Sequence, residues 1–456
     1  MLTERKFINF FQKNNRKFLI LGIGGVSMSS IALLLQKQGH EVCGYDSAHG
    51  AFTSVVEAHG IPVVYNDEEI STDNVACAVY TSAIKEDSPL LTSLREKGIE
   101  CIVRAEFLGE LMKQYKNRIG ISGTHGKSTV SGMIASIFIT AERDPTVMIG
   151  AGLAGLEGGF RPGGMDDYIF EACEYRDSFL SFSPTISVVL NVELDHTDYF
   201  KSLDQMEKSF TSFMDISAEN SGFAIINADS PNAVNAAKNS KCEKLFYSCR
   251  CKDADVFADN IRYNKGKASF DVFVRGEFFA KISLGVIGEF QVGNALAAIS
   301  AAYLSGIDSK DIETALREYC GVDRRFQLRK IYNGAEVRDD YAHHPDEIRA
   351  TLSAAKNAEY KNIYVIYQPH TYTRTHDLFD DFTKAFDGCR EVIFADIYAA
   401  REKNLFGITS EQLAAATPCG KYVGDFERIA EYIKGKLSEG DLLIIMGAGN
   451  IINFEI

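Results

Sequence analysis

The sequence predicts an α/β protein built from three domains, and three observations lead to this prediction. The chain has 456 residues, and a prior of about 150 residues per domain gives about three domains. Apolar runs of strand length alternate with helical stretches along most of the chain. Polar or glycine-rich clusters follow several of these runs, as they do at the carboxyl ends of parallel strands. We therefore expect the functional residues to lie at the edge of each sheet where the carboxyl ends of the strands meet.

The composition is that of a globular protein, and it limits the possible partners. Aliphatic, aromatic and Cys residues make up 46% and charged residues 24%, values that exclude a disordered chain. The formal net charge of −14 disfavours nucleic acid and anionic membranes. No apolar run reaches the length of a membrane span, and the first residues lack the pattern of a signal peptide. We expect a cytoplasmic monomer or homodimer that binds no nucleic acid and does not insert into membranes.

The cysteines indicate no disulfide framework and no zinc ribbon. The chain contains ten cysteines, but none forms a C-x-x-C pair and only Cys249 and Cys251 are close in sequence. We interpret them as small thiols, most of them buried.

The first domain begins with a strand–loop–helix–strand unit over residues 17–46. Its loop is glycine-rich and its second strand ends at Asp46, where a Rossmann-like domain places the acidic partner of a ribose. Ser27 replaces the third glycine of the dinucleotide fingerprint, but a tight glycine turn before a helix suits any diphosphate. The glycines of this loop that we expect to bind a diphosphate are Gly22, Gly24 and Gly25.

Two further residues of the first domain are candidate substrate contacts. Ser82 follows the strand at 75–80, and Arg104 comes later in the same domain. Ligands of open parallel sheets bind beyond the carboxyl ends of the strands. The polar segment at 113–117 marks a boundary, so we expect the first domain to span residues 1–115.

The central domain begins with a phosphate-binding loop. A strand with Ile119 and Ile121 leads into a glycine-rich turn and then into a helical run at 130–140. Loop N–H groups and the helix N-terminus attract an anion, the lysine adds a charge, and the serine hydroxyl can bind Mg²⁺. Ile121 stands where the strict motif has glycine, so the loop is a shorter variant. The residues predicted to bind a nucleoside triphosphate are Gly123, Thr124, His125, Gly126, Lys127, Ser128 and Thr129.

Two later strands of the central domain end in side chains that can bind metal ions. The strand at 168–170 runs into Glu171, and the strand at 186–190 runs into a segment that ends at His196. Hard cations between phosphates need a few such protein ligands, and substrate oxygens complete the shell. We expect a metal site beside the loop, formed by Ser128, Glu171 and His196.

The remainder of the chain predicts an antiparallel meander, two helices and a third α/β domain. Alternating residues and tight turns over 255–285 predict the meander. A charged hinge at 323–327 separates the central domain, residues 116–323, from a Rossmann-like C-terminal domain, residues 324–456. Polar clusters follow three strands of this last domain, and we expect them to face one crevice.

These motifs, in this order, resemble those of the Mur ligases, over nearly the whole chain. The motifs that carry the resemblance are Gly-Thr-His-Gly-Lys-Ser at 123–128, Glu-Ala-Cys-Glu at 171–174, Asn-Val-Glu-Leu-Asp-His at 191–196, Asp-Asp-Tyr-Ala-His-His-Pro at 339–345, Gln-Pro-His-Thr-Tyr-Thr-Arg at 368–374 and Gly-Ala-Gly-Asn at 447–450.

The resemblance implies ATP-dependent amide-bond formation in the synthesis of peptidoglycan precursors. The lactyl carboxylate of UDP-N-acetylmuramate would attack the γ-phosphoryl group, and L-alanine would then displace phosphate from the acyl phosphate. The first domain would bind the UDP substrate, the second ATP and Mg²⁺, and the third would close over the amino acid and ATP. By the same resemblance, Lys127 would stabilise the β- and γ-phosphates, Ser128 and Glu171 would hold one Mg²⁺, and His196 a second. The other implied contacts are Asn294 with adenine, Asp339 with the ATP ribose, Arg325 with ATP, and Arg374 and His344 at the muramyl and amino-acid site.

The chain departs from the family pattern in three places. Serines at 27 and 30 stand where the family usually has glycine, and Phe290-Gln291 replaces His-Asn, so we expect rearranged adenine contacts. Thr371 and His376 stand where many members carry arginine. Arg401 is a candidate source of the missing positive charge.

Three alternatives stay open. Within the family, a ligase that recycles whole murein peptides would add a peptide to UDP-N-acetylmuramate instead of free alanine. A nicotinamide-dependent oxidoreductase fits Gly22-x-Gly24 and Asp46, although it has no use for a triphosphate loop. A nucleotide-sensing protein without turnover is the third alternative, and the metal-binding side chains argue against it.

Overall fold

The structure is a computed structural model that describes residues 17–81, 83–150, 152–153, 156, 159–196, 199–400 and 402–456. Two residues singled out by the sequence, Ser82 and Arg401, lie outside this part of the chain. The chain divides into two compact units. One unit comprises the residues up to Val256 together with Ala297–Asp308, and the other comprises Phe257–Leu296 and Ser309–Ile456.

The first unit begins with a five-stranded parallel sheet of strand order β3-β2-β1-β4-β5. Its strands are β1 Lys17–Leu21, β2 Glu41–Tyr45, β3 Val63–Val64, β4 Val75–Tyr80 and β5 Glu100–Val103. Its helices are α1 Val26–Lys37, α2 Ala51–Ala58, α3 Pro89–Glu96 and α4 Arg104–Met112.

Strand β1 lies at the centre of this sheet because its side chains are apolar on both faces. Phe18 and Ile20 belong to one hydrophobic cluster, and Leu19 and Leu21 to another. All four are at most 1% exposed, and burial of such a side chain contributes about 1.5–3 kcal/mol. A strand buried on both faces is what a parallel sheet covered by helices requires.

The first unit also contains most of the central domain, whose strands in this unit follow the order β12-β11-β10-β6-β9-β7-β8. Neighbouring strands of this order are parallel except for β7 and β8. The strands are β6 Asn117–Ser122, β7 Thr146–Met148, β8 Phe160–Arg161, β9 Asp167–Glu171, β10 Ile186–Val189, β11 Phe223–Asn227 and β12 Glu243–Ser248. The helices are α5 Lys127–Thr140, α6 Leu203–Glu219 and α7 Pro231–Lys238.

The second unit begins with the predicted meander and the helices that follow it. Strands β13 Val256–Asn264, β14 Lys267–Val274 and β15 Glu277–Ile287 are neighbours in this order, and β14 and β15 pair antiparallel. Helix α8 Phe290–Leu304 starts in the second unit and ends in the first, and α9 Ser309–Glu318 follows.

The C-terminal part of the second unit is a six-stranded sheet of order β16-β17-β21-β18-β19-β20. Only β16 runs antiparallel to its neighbour. The strands are β16 Gln327–Tyr332, β17 Ala335–Asp340, β18 Ile363–Tyr367, β19 Glu391–Ala395, β20 Gly420–Gly424 and β21 Leu442–Met446. The helices are α10 Pro345–Lys356, α11 Tyr372–Asp377, α12 Phe379–Thr383, α13 Ser410–Ala416 and α14 Phe426–Lys434.

The predicted α/β class is confirmed, and the strands predicted at 75–80, 168–170 and 186–190 agree with the structure to within one residue at each end. Helix α5 begins three residues earlier than predicted, because the loop lysine and serine already have helical conformation. Among the helices of the described residues, none has both the length and the apolar composition needed to cross a bilayer.

Candidate active site

The phosphate loop lies between β6 and α5, as predicted, and two of its glycines are required by geometry. Gly126 has φ +90° and caps α5 without a side-chain acceptor. Gly123 has φ +145°, and a Cβ there would lie 3.0 Å from Cβ of Leu190 and 3.1 Å from the backbone N of Asn191. Because no side chain of Gly126 caps the helix, its N-terminus can bind an anionic ligand. Ile121 is a fully buried residue of β6, which explains why the loop is shorter than the strict motif.

Asn191, at the end of β10, holds the loop in place. Its Oδ1 accepts a hydrogen bond from the N–H of His125 at 2.8 Å, and its Nδ2 donates to the O of the same residue at 3.1 Å. Its own O accepts the N–H of Thr124 at 3.2 Å. These three bonds pre-organise the loop. Asn191 stood in a family motif, but the sequence did not show that it contacts the loop.

Lys127 contacts a buried glutamate that we had not assigned to the site. Its Nζ lies 3.1 Å from Oε2 of Glu174 and donates to the backbone O of Gly123 and, at 3.3 Å, of Thr124. The side chain of Glu174 is 0% exposed. A buried carboxylate is strongly disfavoured unless a charged group pairs with it, so Lys127 and Glu174 form one unit.

His196 lies close to the same carboxylate. Its Nε2 is 3.9 Å from Oε1 of Glu174, and its ring packs against Tyr175 with 4.7 Å between centroids. Glu171 instead accepts the N–H of Gly150 at 3.1 Å. The two glutamates are three residues apart, and no sequence pattern tells which of them contacts the lysine. The metal role of Glu171 stays a prediction.

The donor set at this loop fits a magnesium ion. Within the residues described, no group of three or more His, Cys, Asp or Glu side chains could hold a metal ion. Mg²⁺ in nucleotide sites uses one or two protein carboxylates and takes its other ligands from phosphates and water. Glu174, the hydroxyl of Ser128 and the imidazole of His196 are such a partial set.

The first glycine loop has the predicted backbone, and Asp46 stabilises it. Gly22 has φ +82°. The N–H of Gly24 donates to Oδ2 of Asp46 at 2.8 Å, and a Cβ on Gly24 would lie 2.8 Å from the same oxygen. Gly25 caps α1 with no side chain, so this helix N-terminus also suits an anion.

Arg104 connects this loop to its surroundings through Ser27. Its NH1 donates to Oγ of Ser27 at 3.1 Å, and burial lowers the pKa of its guanidinium. The hydroxyl of Ser30 donates to the backbone O of Val26 at 2.8 Å. The two serines that replace family glycines therefore have different roles: one holds an arginine, and the other satisfies the helix backbone.

The predicted ATP residues of the second unit lie in α8, just before β16 and in β17. Nδ2 of Asn294 donates to Oε1 of Gln291 at 3.0 Å, so the residue that departs from the family pattern orients Asn294. Arg325 lies 3.6 Å from Glu347. Asp339 accepts from Nε of Arg329 at 2.7 Å.

The amino-acid-site candidates of the second unit lie at the start of helices. Nδ1 of His344 accepts the N–H of Asp346 at 3.4 Å, which caps α10. NH1 of Arg374 lies 3.1 Å from Nδ1 of His370, and burial lowers the pKa of His370 to about 4. The imidazole is therefore neutral near pH 7 and can accept this hydrogen bond.

The two positions that lack the family arginines have local structural roles. Thr371 has φ +67°, and its Oγ1 accepts the N–H of Arg374 at 3.4 Å, so it caps α11. His376 stacks on Phe406 with 4.3 Å between centroids. Arg401, the candidate source of the missing charge, lies outside the described residues.

Comparison with protein families gives three adjacent matches. The model for the Mur ligase family catalytic domain matches residues 17–116, that for the Mur ligase middle domain matches 121–302, and that for the Mur ligase glutamate ligase domain matches 324–449.

Similar proteins give the same result over the full length. The chain is 41% identical over 451 residues to the UDP-N-acetylmuramate–L-alanine ligase of Clostridium acetobutylicum, with 97% of this chain and 98% of the relative covered. A solved UDP-N-acetylmuramate–alanine ligase from Thermotoga maritima matches with TM-score 0.79 and 25% identity, covering 96% of each chain. A murein peptide ligase from Psychrobacter arcticus shares the fold, with TM-score 0.69 and 22% identity over 97% of each chain. The chain belongs to the Mur ligase family.

Proposed function

We propose that this protein is an ATP-dependent ligase that joins L-alanine to the lactyl carboxylate of UDP-N-acetylmuramate, in peptidoglycan precursor synthesis. The observation that carries the proposal is the grouping of Lys127, Glu174 and His196 at the phosphate loop. The named function of relatives about 40% identical over the full chain supports the choice of substrates. The reaction uses ATP and a UDP-linked sugar, so we assign it to the cytoplasm.

The chemistry requires positioning and positive charge more than a protein nucleophile. A lactyl carboxylate oxygen attacks the γ-phosphorus and ADP leaves, and the alanine amine then attacks the acyl carbon and phosphate leaves. Carboxylate and triphosphate repel each other, so the site must supply positive charge. It must also hold the attacking carboxylate in line with the γ-phosphorus. When bound, Mg²⁺ would neutralise phosphate charge, held by Ser128, Glu174 and His196.

Lys127 has two partners in this proposal. In the structure its ammonium group pairs with Glu174 and donates to the loop carbonyls. The β- and γ-phosphates of a bound nucleotide would compete for the same ammonium group, and Glu174 would then hold Mg²⁺ in place of the lysine. The N–H groups at the start of α5 stay fixed and bind the phosphates without rearrangement.

The proposed division of labour among the domains follows the positions of these groups. We propose that residues 1–115 bind the UDP substrate, 116–323 bind ATP, and 324–456 bind the amino acid and close over ATP. The three family matches support boundaries near residues 115 and 323.

A panel of amine substrates tests the proposal. Purified protein with Mg²⁺, ATP and UDP-N-acetylmuramate should release phosphate on addition of L-alanine, and more slowly or not at all with glycine or L-serine. Release with the murein tripeptide but not with alanine would instead identify the peptide-recycling ligase. Absence of release with every amine would reject the ligase.

A further inference from the structure

The segment that follows Glu174 has an unusual backbone. Arg176 and Asp177 are consecutive residues with φ +53° and +56° inside a short 3-10 helix, Tyr175–Ser181. Residues with a Cβ adopt this left-handed conformation at a steric cost, and two in succession are rarer still. Such a conformation persists where surrounding contacts impose it.

The contacts that impose this backbone meet at the carboxylate of Asp177. Its Oδ2 accepts a hydrogen bond from the hydroxyl of Tyr199 at 2.6 Å, and its Oδ1 accepts from the hydroxyl of Ser209 on α6. Its backbone N–H donates to the O of Glu174 at 2.9 Å. Asp177 therefore joins the Glu174 segment to two other parts of the central domain.

Tyr199 extends this connection to His196. The backbone N–H groups of Tyr199 and Phe200 both donate to the O of His196, at 2.8 and 2.9 Å. His196 itself has φ +51°, so its backbone too is held in a left-handed conformation. A single carboxylate thus links the turn that carries Glu174 to the turn that carries His196, although these two residues are far apart in sequence.

We propose that Asp177 is a positioning residue that fixes the Glu174 carboxylate relative to the His196 imidazole. Tyr199 connects Asp177 to His196. The proposal rests on the proposed function, since its consequence for catalysis presupposes a reaction at this site. Both groups must stay in place while the phosphoryl group moves, and a displacement of about 1 Å costs on the order of a hundredfold in rate. Among the described residues Asp177 contacts Glu174, Tyr199 and Ser209 and not Lys127 or the phosphate loop, so it acts through the two turns.

The first test compares three variants, two at Asp177 and one at its partner Tyr199. Asp177→Gly removes the carboxylate without adding strain, because glycine tolerates the left-handed region. Asp177→Asn keeps one acceptor oxygen and also tolerates this region, so it should retain intermediate activity. Tyr199→Phe removes one hydroxyl. We expect Asp177→Gly to lower kcat about tenfold to a hundredfold, with KM for L-alanine and for UDP-N-acetylmuramate changed less than about twofold.

Coupling and control variants separate positioning from simple loss of structure. Tyr199→Phe should add almost nothing to Asp177→Gly, because its hydroxyl acts through that carboxylate. Ser221→Gly, at another left-handed residue with φ +56° at the end of α6, should leave kcat unchanged. Additive losses in the double variant would overturn the proposal, and so would an Asp177→Gly enzyme with the kcat of the unmodified protein.

Amide hydrogen exchange tests the geometry without any substrate. The N–H groups of Asp177, Tyr199 and Phe200 should exchange faster together in Asp177→Gly and in Tyr199→Phe, while Ser221→Gly leaves them protected. Faster exchange at only one of the two turns would contradict the link between them. If the unmodified protein formed no amide bond, the proposed function would fail, and exchange would still decide whether Asp177 holds the two turns together.

Discussion

The carboxylate of Glu174 lies 3.1 Å from Nζ of Lys127, with 0% and 16% of the two side chains exposed. A pair this buried is strongly coupled, because removal of one partner leaves an uncompensated charge in a low-dielectric environment. Stability and catalysis therefore depend on the same two residues, and paired substitutions can separate the two contributions.

Lys127→Met should lower both stability and activity. Loss of the ammonium leaves Glu174 buried and unpaired, which costs about 3–5 kcal/mol of unfolding free energy. It also removes the charge proposed to stabilise the phosphates, and kcat should fall about a hundredfold to a thousandfold. The double variant Lys127→Met/Glu174→Gln should regain most of the stability in urea unfolding and none of the activity. Recovery of phosphate release in the double variant would contradict the proposed role of Lys127.

The two glutamates of the 171–174 motif should respond differently to the same substitution. Glu174→Gln removes the charge beside Lys127 and His196, and kcat should fall by at least about a hundredfold, beyond the loss typical of groups that only support a metal ligand. Glu171→Gln keeps an oxygen that can accept the N–H of Gly150, and kcat should fall less than about tenfold. Phosphate release over a range of Mg²⁺ concentrations measures both. The reverse order would return the metal role to Glu171.

Arg104→Lys should weaken binding of the UDP substrate. Lysine cannot reproduce the planar guanidinium that donates to Ser27. The hydrogen bond between Arg104 and Ser27 is the same in the ground state and in the transition state. KM for UDP-N-acetylmuramate should therefore rise about tenfold while kcat stays within about twofold. Arg95→Lys is the matched control, because Arg95 lies in the same domain and donates to the backbone O of Glu86 on the surface. Equal effects of the two substitutions would remove Arg104 from the substrate site.

Asp340→Asn should change how stability depends on pH. Asp340 is 4% exposed, and burial raises its pKa from 3.8 to about 6. Between these two values the folded protein holds a proton that the unfolded chain has released. The associated stability is therefore complete below about pH 4 and is lost as pH rises through 6.

The uncharged amide of the variant cannot show this loss. Relative to Asp340→Asn, the unfolding free energy of the unmodified protein should fall by up to about 3 kcal/mol between pH 4 and pH 7. Urea unfolding of both proteins at each pH measures the difference. Parallel curves would show that Asp340 titrates normally.

Much of the architecture could be predicted because its signals are local. Apolar runs such as β1, the glycine turn before Lys127 and the proline at the start of α10 each specify one kind of backbone over a few residues. The domain boundaries near residues 115 and 323 stay predictions, as does the extent of closure. The division between the two compact units falls at other positions, after Val256 and within α8. Segments that are distant in the sequence belong to the same unit, so the units do not follow the sequence boundaries.

The sequence alone predicts α/β domains, a phosphate loop before α5 and the family that the chain resembles. It does not determine which acid contacts Lys127, because Glu171 and Glu174 are both glutamates and lie only three residues apart in the chain. The tertiary structure places Glu174 against Lys127, whereas Glu171 ends β9 and accepts the N–H of Gly150. In the turn that follows Glu174, the carboxylate of Asp177 accepts hydrogen bonds from Tyr199 and from Ser209 on α6. Long-range packing of this kind has no signature in the local sequence.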